Sequence, residues 1–326
     1  MTTAMPPARR IETNGIGLNI YEAGPADSAF PPLVLSHGYP ELAYSGRHQI
    51  PALAAQGFRV IAPDQRGYGG SDKPHAIEAY DMEQLTSDLA GLLDALGLER
   101  AVFVGHDWGG FVIWQMGIRC PDRVAGLIGL NTPYTKRPPI DPIELYRQRF
   151  GDDFYIVAFQ EEGTVEALFE ADVERFIRFM MRRNDISPKV FETLPKERRS
   201  FSLQGALPHY DPKTCTQQFL SDAEIGVFVD AFKAGGFRGP VNWYRNFTRN
   251  WERSGHLDDL VTAPSLMIMA ENDLVLPPSA ADGMEKYVPN LTKVLIEGSG
   301  HWTQQEKPAE TTAAIADWMR ATFAPR

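Results

Sequence analysis

A short stretch near residue 105 carries the residues best suited to covalent chemistry. An apolar, β-branched run over 101–104 leads into Gly105-His106-Asp107-Trp108-Gly109-Gly110, and an amphipathic segment follows. The pattern G-x-nucleophile-x-G between a strand and a helix predicts a sharp turn with Asp107 at its apex, and the glycines leave room for the strained chain. The helix that follows begins at this apex, where its N-terminus stabilises negative charge.

An aspartate at the apex, where a serine is usual, restricts the chemistry. Attack of a carboxylate on an acyl group gives an anhydride, whereas attack on a saturated carbon with a leaving group gives an alkyl ester. Water can then cleave this ester at the carbonyl carbon of Asp107. We therefore expect a substrate with an electrophilic sp3 carbon, such as an epoxide or an alkyl halide.

Two further residues follow predicted strands, in the chain order nucleophile, acid, histidine. Asp273 comes after the predicted strand at 263–270, and His301 comes after the one at 291–296. Each alone has an ordinary explanation, as a turn residue or a surface histidine, but together they predict a triad with Asp107. His301 is expected to take a proton from the attacking water, and Asp273 to fix the tautomer of its imidazole.

Hydrolysis of the ester creates an oxyanion, which needs backbone N–H donors. One donor is expected from Trp108, directly after the nucleophile. The other is expected from Tyr39 in the loop His37-Gly38-Tyr39-Pro40, although a simple proline turn is the alternative for this loop. The Tyr39-Pro40 bond is a candidate for the cis form, which occurs in tight turns.

The alternation of predicted strands and helices indicates an α/β fold with a mostly parallel, doubly wound sheet. The pattern covers residues 1–133 and 256–326, and a helical insertion without strand-like runs fills 134–255. Asn14-Gly15 predicts a hairpin, one helix is expected over 42–55, and Asp81 with Gln84 predicts a capping box.

Composition limits the function further. The 326 residues carry a net charge of −10, which argues against nucleic acid or an anionic membrane as a partner. Cys120 and Cys215 form no metal or disulfide pattern, and no metal or other cofactor is predicted. Residues 1–10 lack the apolar core of a signal peptide, and no apolar run is long enough for a membrane span, so a cytoplasmic location is expected. A monomer or a homodimer is expected.

Several motifs together resemble the epoxide hydrolases of the α/β-hydrolase fold, in particular the hydrolase domain of the soluble epoxide hydrolases. The resemblance covers nearly the whole chain and implies a helical cap domain inserted into the α/β core. The matching segments are His37-Gly38-Tyr39-Pro40, Gly105-His106-Asp107-Trp108-Gly109-Gly110, Gly300-His301-Trp302, and the stretches 154–160 and 238–246 of the insertion.

The resemblance implies conversion of epoxides to vicinal diols through an ester on Asp107, with an epoxide and water as the only small-molecule partners. Tyr155 and Tyr244 would bind the ring oxygen and supply its proton, because an alkoxide is a poor leaving group. A packed aromatic residue is the alternative for either tyrosine. The pocket is expected between sheet and cap. Its substrate-binding residues would be His37, Phe111 and Trp302, beside Trp108.

A haloalkane dehalogenase is the nearest alternative, since it shares the aspartate nucleophile and the following tryptophan. That family usually has asparagine at the position of Tyr39 and lacks the Tyr244 motif. A serine esterase is disfavoured by Asp107, and a hydrolase-fold ligand-binding protein is disfavoured because every triad and cap residue is present. Gly46 and Glu162 depart from the family pattern, which often has a bulky aromatic residue and a proline there.

Overall fold

In a computed structural model, the described part of the chain comprises residues 5–183, 186–195, 199 and 201–323. The prediction that residues 1–10 form no signal peptide therefore concerns a segment that lies partly outside the described residues. Within the described ranges, no helix combines the length and apolar character needed to cross a membrane. Cys120 and Cys215 are both free thiols.

One eight-stranded sheet forms the centre of the fold. Its strands run in the order β1-β2-β4-β3-β5-β6-β7-β8, and all neighbours are parallel except β1 with β2 and β2 with β4. This confirms the predicted α/β class with a mostly parallel sheet. The strands are β1 Ala8–Thr13, β2 Ile16–Ala23, β3 Leu33–Ser36, β4 Val60–Asp64, β5 Ala101–His106, β6 Val124–Leu130, β7 Ser265–Ala270 and β8 Leu291–Ile296.

Helices alternate with the strands and also fill the long interval between β6 and β7. Three precede β6, namely α1 Gln49–Ala54, α2 Met82–Ala95 and α3 Trp108–Arg119. The interval holds α4 Pro142–Phe150, α5 Tyr155–Ala158, α6 Thr164–Glu170, α7 Val173–Met180, α8 Pro188–Thr193, α9 Leu203–Ala206, α10 Asp222–Gly235, α11 Arg238–Arg245 and α12 Phe247–Arg253. The chain ends with α13 Thr303–Glu306 and α14 Pro308–Phe323.

Apolar side chains on the two faces of the sheet form two separate cores. Strand β5 is buried along its whole length, and successive residues face opposite sides. Val102 and Val104 pack in the core that includes residues of α1 and α14, and Phe103 packs in the core that includes residues of α2, α3 and the helices between β6 and β7. Both faces of β5 are thereby fixed, which sets the position of the residue that follows it.

Two local predictions differ from the structure. The single helix expected over 42–55 is wrong, because a short 3₁₀ turn at Ala43–Gly46 precedes α1. Pro51 has no N–H to donate to the carbonyl of Arg47, as a continuous helix would require. The capping box at α2 forms only in part: Asp81 accepts from the N–H of Gln84 at 3.1 Å, but the Gln84 side chain accepts from Asn14 instead.

Gly46 lies beside a small internal cavity of about 30 Å³ between α1, β3 and α13. A Cβ atom at this position would stand 3.2 Å from Cδ2 of Leu35 and 3.5 Å from Cδ1 of Ile50. The φ angle of Gly46 lies outside the left-handed region, so an alanine can adopt the same backbone. A small side chain at this position therefore fits if Leu35 moves by a few tenths of an ångström, and the cavity offers room for that movement.

We expect Gly46→Ala to raise the free energy of unfolding by about 0.5 kcal/mol, because it restricts the unfolded chain and Leu35 can shift into the cavity. Urea unfolding monitored by circular dichroism measures the change. Gly57→Ala is the matched control: Gly57 has open space around it but a φ of +89°, so alanine there should destabilise. A lower midpoint for Gly46→Ala would contradict the expectation.

Candidate active site

The turn between β5 and α3 has the strained geometry that the glycine pattern predicts. Asp107 has φ 50° and ψ −120°, outside the regions that residues with a Cβ normally occupy. A Cβ at Gly109 would collide with the carbonyl of Ser36, and a Cβ at Gly38 would collide with the side chain of Asp107. This turn at Asp107, called the elbow below, therefore packs directly against the loop after β3, backbone to backbone.

This close packing brings backbone N–H groups to the Asp107 carboxylate. The N–H of Tyr39 donates to Oδ1 at 2.7 Å, and the N–H of Trp108 also hydrogen-bonds to the carboxylate. Burial raises the pKa of Asp107, while His301, His106 and these two N–H groups oppose the shift. The Tyr39-Pro40 peptide bond is cis.

Asp273 holds His301 by a short hydrogen bond, from Nδ1 to Oδ2 at 2.8 Å. The same carboxylate oxygen accepts from Nδ2 of Asn131 at 2.7 Å, and the other accepts from the N–H groups of Val275 and Leu276. Burial alone would raise the pKa of Asp273, but the imidazole and these donors hold it at about 2. Asp273 is thus an ionised, fully buried partner of His301.

His301 lies between two carboxylates. Its Nε2 atom stands 3.8 Å from Oδ2 of Asp107, which is too long for a direct hydrogen bond. Burial lowers the pKa of His301, but the charges of Asp273 and Asp107 outweigh this effect and raise it to about 9. The ring is therefore protonated at neutral pH in this state.

Two tyrosines from the helical interval lie near the elbow. Tyr155 begins α5 and Tyr244 lies on α11, and their ring centroids are 5.9 Å apart. The ring of Tyr244 also contacts that of Trp108 at 5.0 Å. Burial and the Asp107 charge raise the pKa of both phenols well above the ordinary value, so both are neutral hydrogen-bond donors.

Buried polar contacts fix α11 and with it Tyr244. Arg245 pairs with Glu166 of α6 at 2.6 Å, and Gln160 donates to the carbonyl of Tyr244 at 3.1 Å. The indole of Trp243 donates to the carbonyl of Arg66 in the loop after β4. A buried pair of this kind fixes geometry more than it adds stability.

The fold and this geometry agree with known proteins. Residues 31–308 match the family model described as alpha/beta hydrolase fold. Epoxide hydrolase A of Mycobacterium tuberculosis is 42% identical over 96% of this chain and 97% of its own length. The chain belongs to the epoxide hydrolases. The family predicted from the motifs is thereby confirmed.

Other members of the epoxide hydrolases support the same conclusion. The crystal structure of epoxide hydrolase A from Mycobacterium thermoresistibile has a TM-score of 0.85 and 42% identity, covering 97% of this chain and 98% of that chain. Bifunctional epoxide hydrolase 2 of Sus scrofa is 39% identical over 94% of this chain. The match covers 53% of the length of that longer relative.

In this epoxide hydrolase, a buried pair that sequence reasoning missed connects the parts of the site. Glu41 accepts from the N–H of Gly38 at 2.9 Å and pairs with Nδ1 of His106 at 2.6 Å, while Nε2 of His106 faces the carbonyl of His301 at 2.6 Å. Both ring nitrogens of His106 are thus in hydrogen-bond contact with oxygen atoms. Burial would raise the pKa of Glu41, but His106 and Gly38 hold it at about 2. The only sequence signal for this pair is its position: Glu41 follows the loop His37-Gly38-Tyr39-Pro40, and His106 directly precedes Asp107.

The remaining predicted residues lie around this centre. Trp302 is buried, with its ring centroid 4.8 Å from that of His301, and its indole donates to the carbonyl of Met180. Phe111 is partly buried and packs against Trp108. Both ring nitrogens of His37 are used by the backbone of Gly38 and Gln65, so its predicted contact with substrate stays a prediction.

The two departures from the family pattern lie away from these groups, since Glu162 forms an exposed ion pair with Arg238 and Gly46 borders the small cavity. Within the described ranges, no three His, Cys, Asp or Glu side chains are grouped to hold a metal ion.

We expect Asp273→Asn to weaken the dependence of stability on acid pH. Because folding lowers the pKa of Asp273 from 3.8 to about 2, its contribution of about 2 kcal/mol is present above pH 4 and is lost as pH falls towards 2. Urea unfolding at a series of pH values measures the slope for both proteins. Equal slopes between pH 4 and 2 would show that Asp273 is not held ionised by the fold.

Proposed function

We propose that this enzyme converts epoxides to vicinal diols in two steps, through an ester between substrate and Asp107. The observation that carries the proposal is the arrangement of groups around the Asp107 carboxylate. Backbone N–H groups donate to it, and Nε2 of His301 lies 3.8 Å from it. Two neutral phenols, those of Tyr155 and Tyr244, lie nearby. Asp107 is the nucleophile, His301 the base, Asp273 its partner, and Tyr155 and Tyr244 the acids.

In the first step, Oδ2 of Asp107 attacks an epoxide carbon, because Oδ1 is engaged by the N–H of Tyr39. A bond forms from Oδ2 to carbon, the carbon–oxygen bond of the ring breaks, and its electron pair goes to the ring oxygen. Tyr155 and Tyr244 hydrogen-bond to that oxygen and one of them supplies its proton. Holding reactant and carboxylate in this geometry removes much of the entropic barrier.

The second step depends on the loss of charge at Asp107. The ester is neutral, so Asp107 no longer raises the pKa of His301. The imidazole gives up its proton, which replaces the one that the tyrosine supplied, and can then act as a base. A water attacks the carbonyl carbon and gives its proton to Nε2 of His301. The oxyanion forms on Oδ1 and is held by the N–H groups of Tyr39 and Trp108. Its collapse breaks the bond between the carbonyl carbon and the ester oxygen, which takes a proton from His301 and leaves in the diol. The new carboxyl group of Asp107 then returns a proton to His301, which restores the starting state.

The helical segment 134–255 is proposed as the cap over this site, inserted between core segments 1–133 and 256–326. His37, Phe111 and Trp302 are proposed to shape the substrate pocket beside Trp108. A small epoxide and water are the partners. The cytoplasmic location and the state as monomer or homodimer stay predictions. The dehalogenase alternative is not favoured, since a halide leaves without a proton and has no need of two phenols.

A single turnover in heavy-oxygen water tests the proposal. With enzyme in excess over an aryl epoxide, we expect unlabelled diol and label in the peptide that carries Asp107, because the oxygen transferred to the diol comes from the carboxylate. Mass spectrometry of diol and digested protein measures both. Labelled diol with an unlabelled Asp107 peptide would mean direct attack by water and would overturn the ester route.

Two variants separate the half-reactions. His301→Gln should form the ester at a near-normal rate but accumulate it, seen as a gain of one substrate mass on the intact protein. Tyr244→Phe should slow ester formation on the order of 10²-fold, with no accumulation, because one donor to the ring oxygen is lost. Rapid-quench mass spectrometry follows both. If His301→Gln turned over without accumulating ester, the base would be a different group.

A further inference from the structure

The backbone around His301 is held by a buried carboxylate that the proposed mechanism does not use. Glu306 is the last residue of α13, and its side chain points back towards the start of that helix. Its Oε1 atom accepts from the N–H of Trp302 at 3.0 Å, and its Oε2 atom accepts from the N–H of Gly300 at 3.1 Å. The side chain is only 2% exposed. One carboxylate therefore binds the chain on both sides of His301.

Gly300 allows the close approach of this carboxylate. A Cβ atom on residue 300 would stand 2.9 Å from Oε1 and 3.3 Å from Oε2 of Glu306, which is closer than ordinary van der Waals contact. The φ angle of Gly300 lies outside the left-handed region, so the backbone conformation does not itself require glycine there. The glycine before His301 therefore has a steric role, because it leaves room for the Glu306 carboxylate.

Backbone donors do more than a cation to keep Glu306 in this buried position. Burial raises the pKa of Glu306, and the N–H groups of Gly300 and Trp302 oppose that shift more strongly than Arg183 does. Nε of Arg183 stands 3.6 Å from Oε2, and the Arg183 side chain is 55% exposed. A long ion pair with an exposed partner contributes little to stability. Since a buried carboxylate needs hydrogen bonds, the two N–H groups fix the carboxylate and the loop to each other.

Other side chains hold the carbonyl groups of the same loop. The carbonyl of Gly300 accepts from Oγ1 of Thr303 at 2.9 Å, and the carbonyl of His301 lies 2.6 Å from Nε2 of His106. Glu306 differs from these side chains because it binds N–H groups, which need an acceptor. Its two carboxylate oxygens reach two N–H groups at once, which a side chain with a single acceptor atom does not do.

The position of Nε2 of His301 matters in the second step of the proposed function, on which this inference rests. Asp273 holds the ring at Nδ1, but Nε2 lies 3.8 Å from Asp107, too far for a hydrogen bond. The place of Nε2 therefore depends on the backbone that carries the ring. We propose that Glu306 is a positioning residue, which holds residues 300–302 so that Nε2 faces the water that attacks the ester. Glu306 acts through His301 and not on the substrate.

An ordinary helix cap is the alternative for Glu306, since its carboxylate reaches back to N–H groups just before α13. A cap would stabilise the fold, and its loss would lower the amount of active protein without changing the balance between the two steps. Loss of a positioning residue should instead slow the step in which His301 is the base. The ratio of the two rates separates these roles.

Rapid-quench mass spectrometry with styrene oxide measures the two steps separately. We expect Glu306→Gln to form the ester within about two-fold of the wild-type rate but to hydrolyse it on the order of ten-fold more slowly. The amide keeps one acceptor and turns a donor towards the other N–H group, which displaces the loop. Gly300→Ala should show the same pattern, because its methyl group displaces the carboxylate. The double variant should hydrolyse the ester no more slowly than the slower single variant, since both changes disturb one contact.

Arg183→Gln is the matched control, because it removes the ion pair with Glu306 and leaves the two hydrogen bonds. We expect both of its rates to equal those of the wild type. Equal slowing of both steps in Glu306→Gln, ester hydrolysis at the wild-type rate in that variant, or the same defect in Arg183→Gln would each overturn the proposal. If Glu306→Gln does not fold, Gly300→Ala decides by the same criteria.

Proton NMR gives a second test that needs no turnover. The Nδ1 proton of His301 lies in the hydrogen bond to Asp273, so its signal should appear at low field and be absent from His301→Gln. We expect the signal to shift or broaden in Glu306→Gln and Gly300→Ala and to stay unchanged in Arg183→Gln. If the wild-type protein formed no ester, the proposed function would fail. An unchanged signal in folded Glu306→Gln would overturn the role of Glu306 in either case.

Discussion

The whole site depends on keeping one buried carboxylate charged. Asp107 is 9% exposed, and no cation of the described residues lies within hydrogen-bond distance of its carboxylate, since His301 Nε2 stands 3.8 Å away. Burial of an unpaired carboxylate is costly, so backbone N–H groups must replace the water. Tyr39 and Trp108 supply these donors only because the elbow and the loop at Gly38 are packed closely enough. The strain at Asp107 and the glycines around it follow from this requirement.

In the proposed mechanism, this distance from a cation also leaves one carboxylate oxygen free to attack. A lysine or arginine paired with Asp107 would stabilise the anion but would also occupy the oxygen that must attack. The structure instead pairs the neighbouring histidines with other acids. Asp273 pairs with His301 and Glu41 with His106, and the second pair links the loop at Gly38 to the backbone of His301. Removing Asp273 would leave the buried, protonated His301 without this counter-ion, which is strongly destabilising.

Sequence reasoning found the parts of the site that have local signals. The glycine spacing identified the elbow, and the ends of β5, β7 and β8 brought Asp107, Asp273 and His301 to one edge of the sheet. What it missed depends on contacts between distant segments. Glu41 and His106 are 65 positions apart, and Gln84 bonds to Asn14 across two elements rather than completing its own cap. Pro51 was a local signal that the helix expected over 42–55 does not run through as one piece. The prediction of a single helix gave more weight to the apolar pattern of that segment.

The two steps are coupled through the movement of one negative charge. While Asp107 is ionised, it raises the pKa of His301, Tyr155 and Tyr244 together. In the proposed mechanism, ester formation moves that charge to the epoxide oxygen and, when a tyrosine gives its proton, on to that phenol, so the negative charge is moved across the site rather than created in it. The same event weakens the hold of His301 on its proton. In the proposed mechanism, the neutral ester no longer raises the pKa of His301, which favours its use as a base in the second step rather than the first.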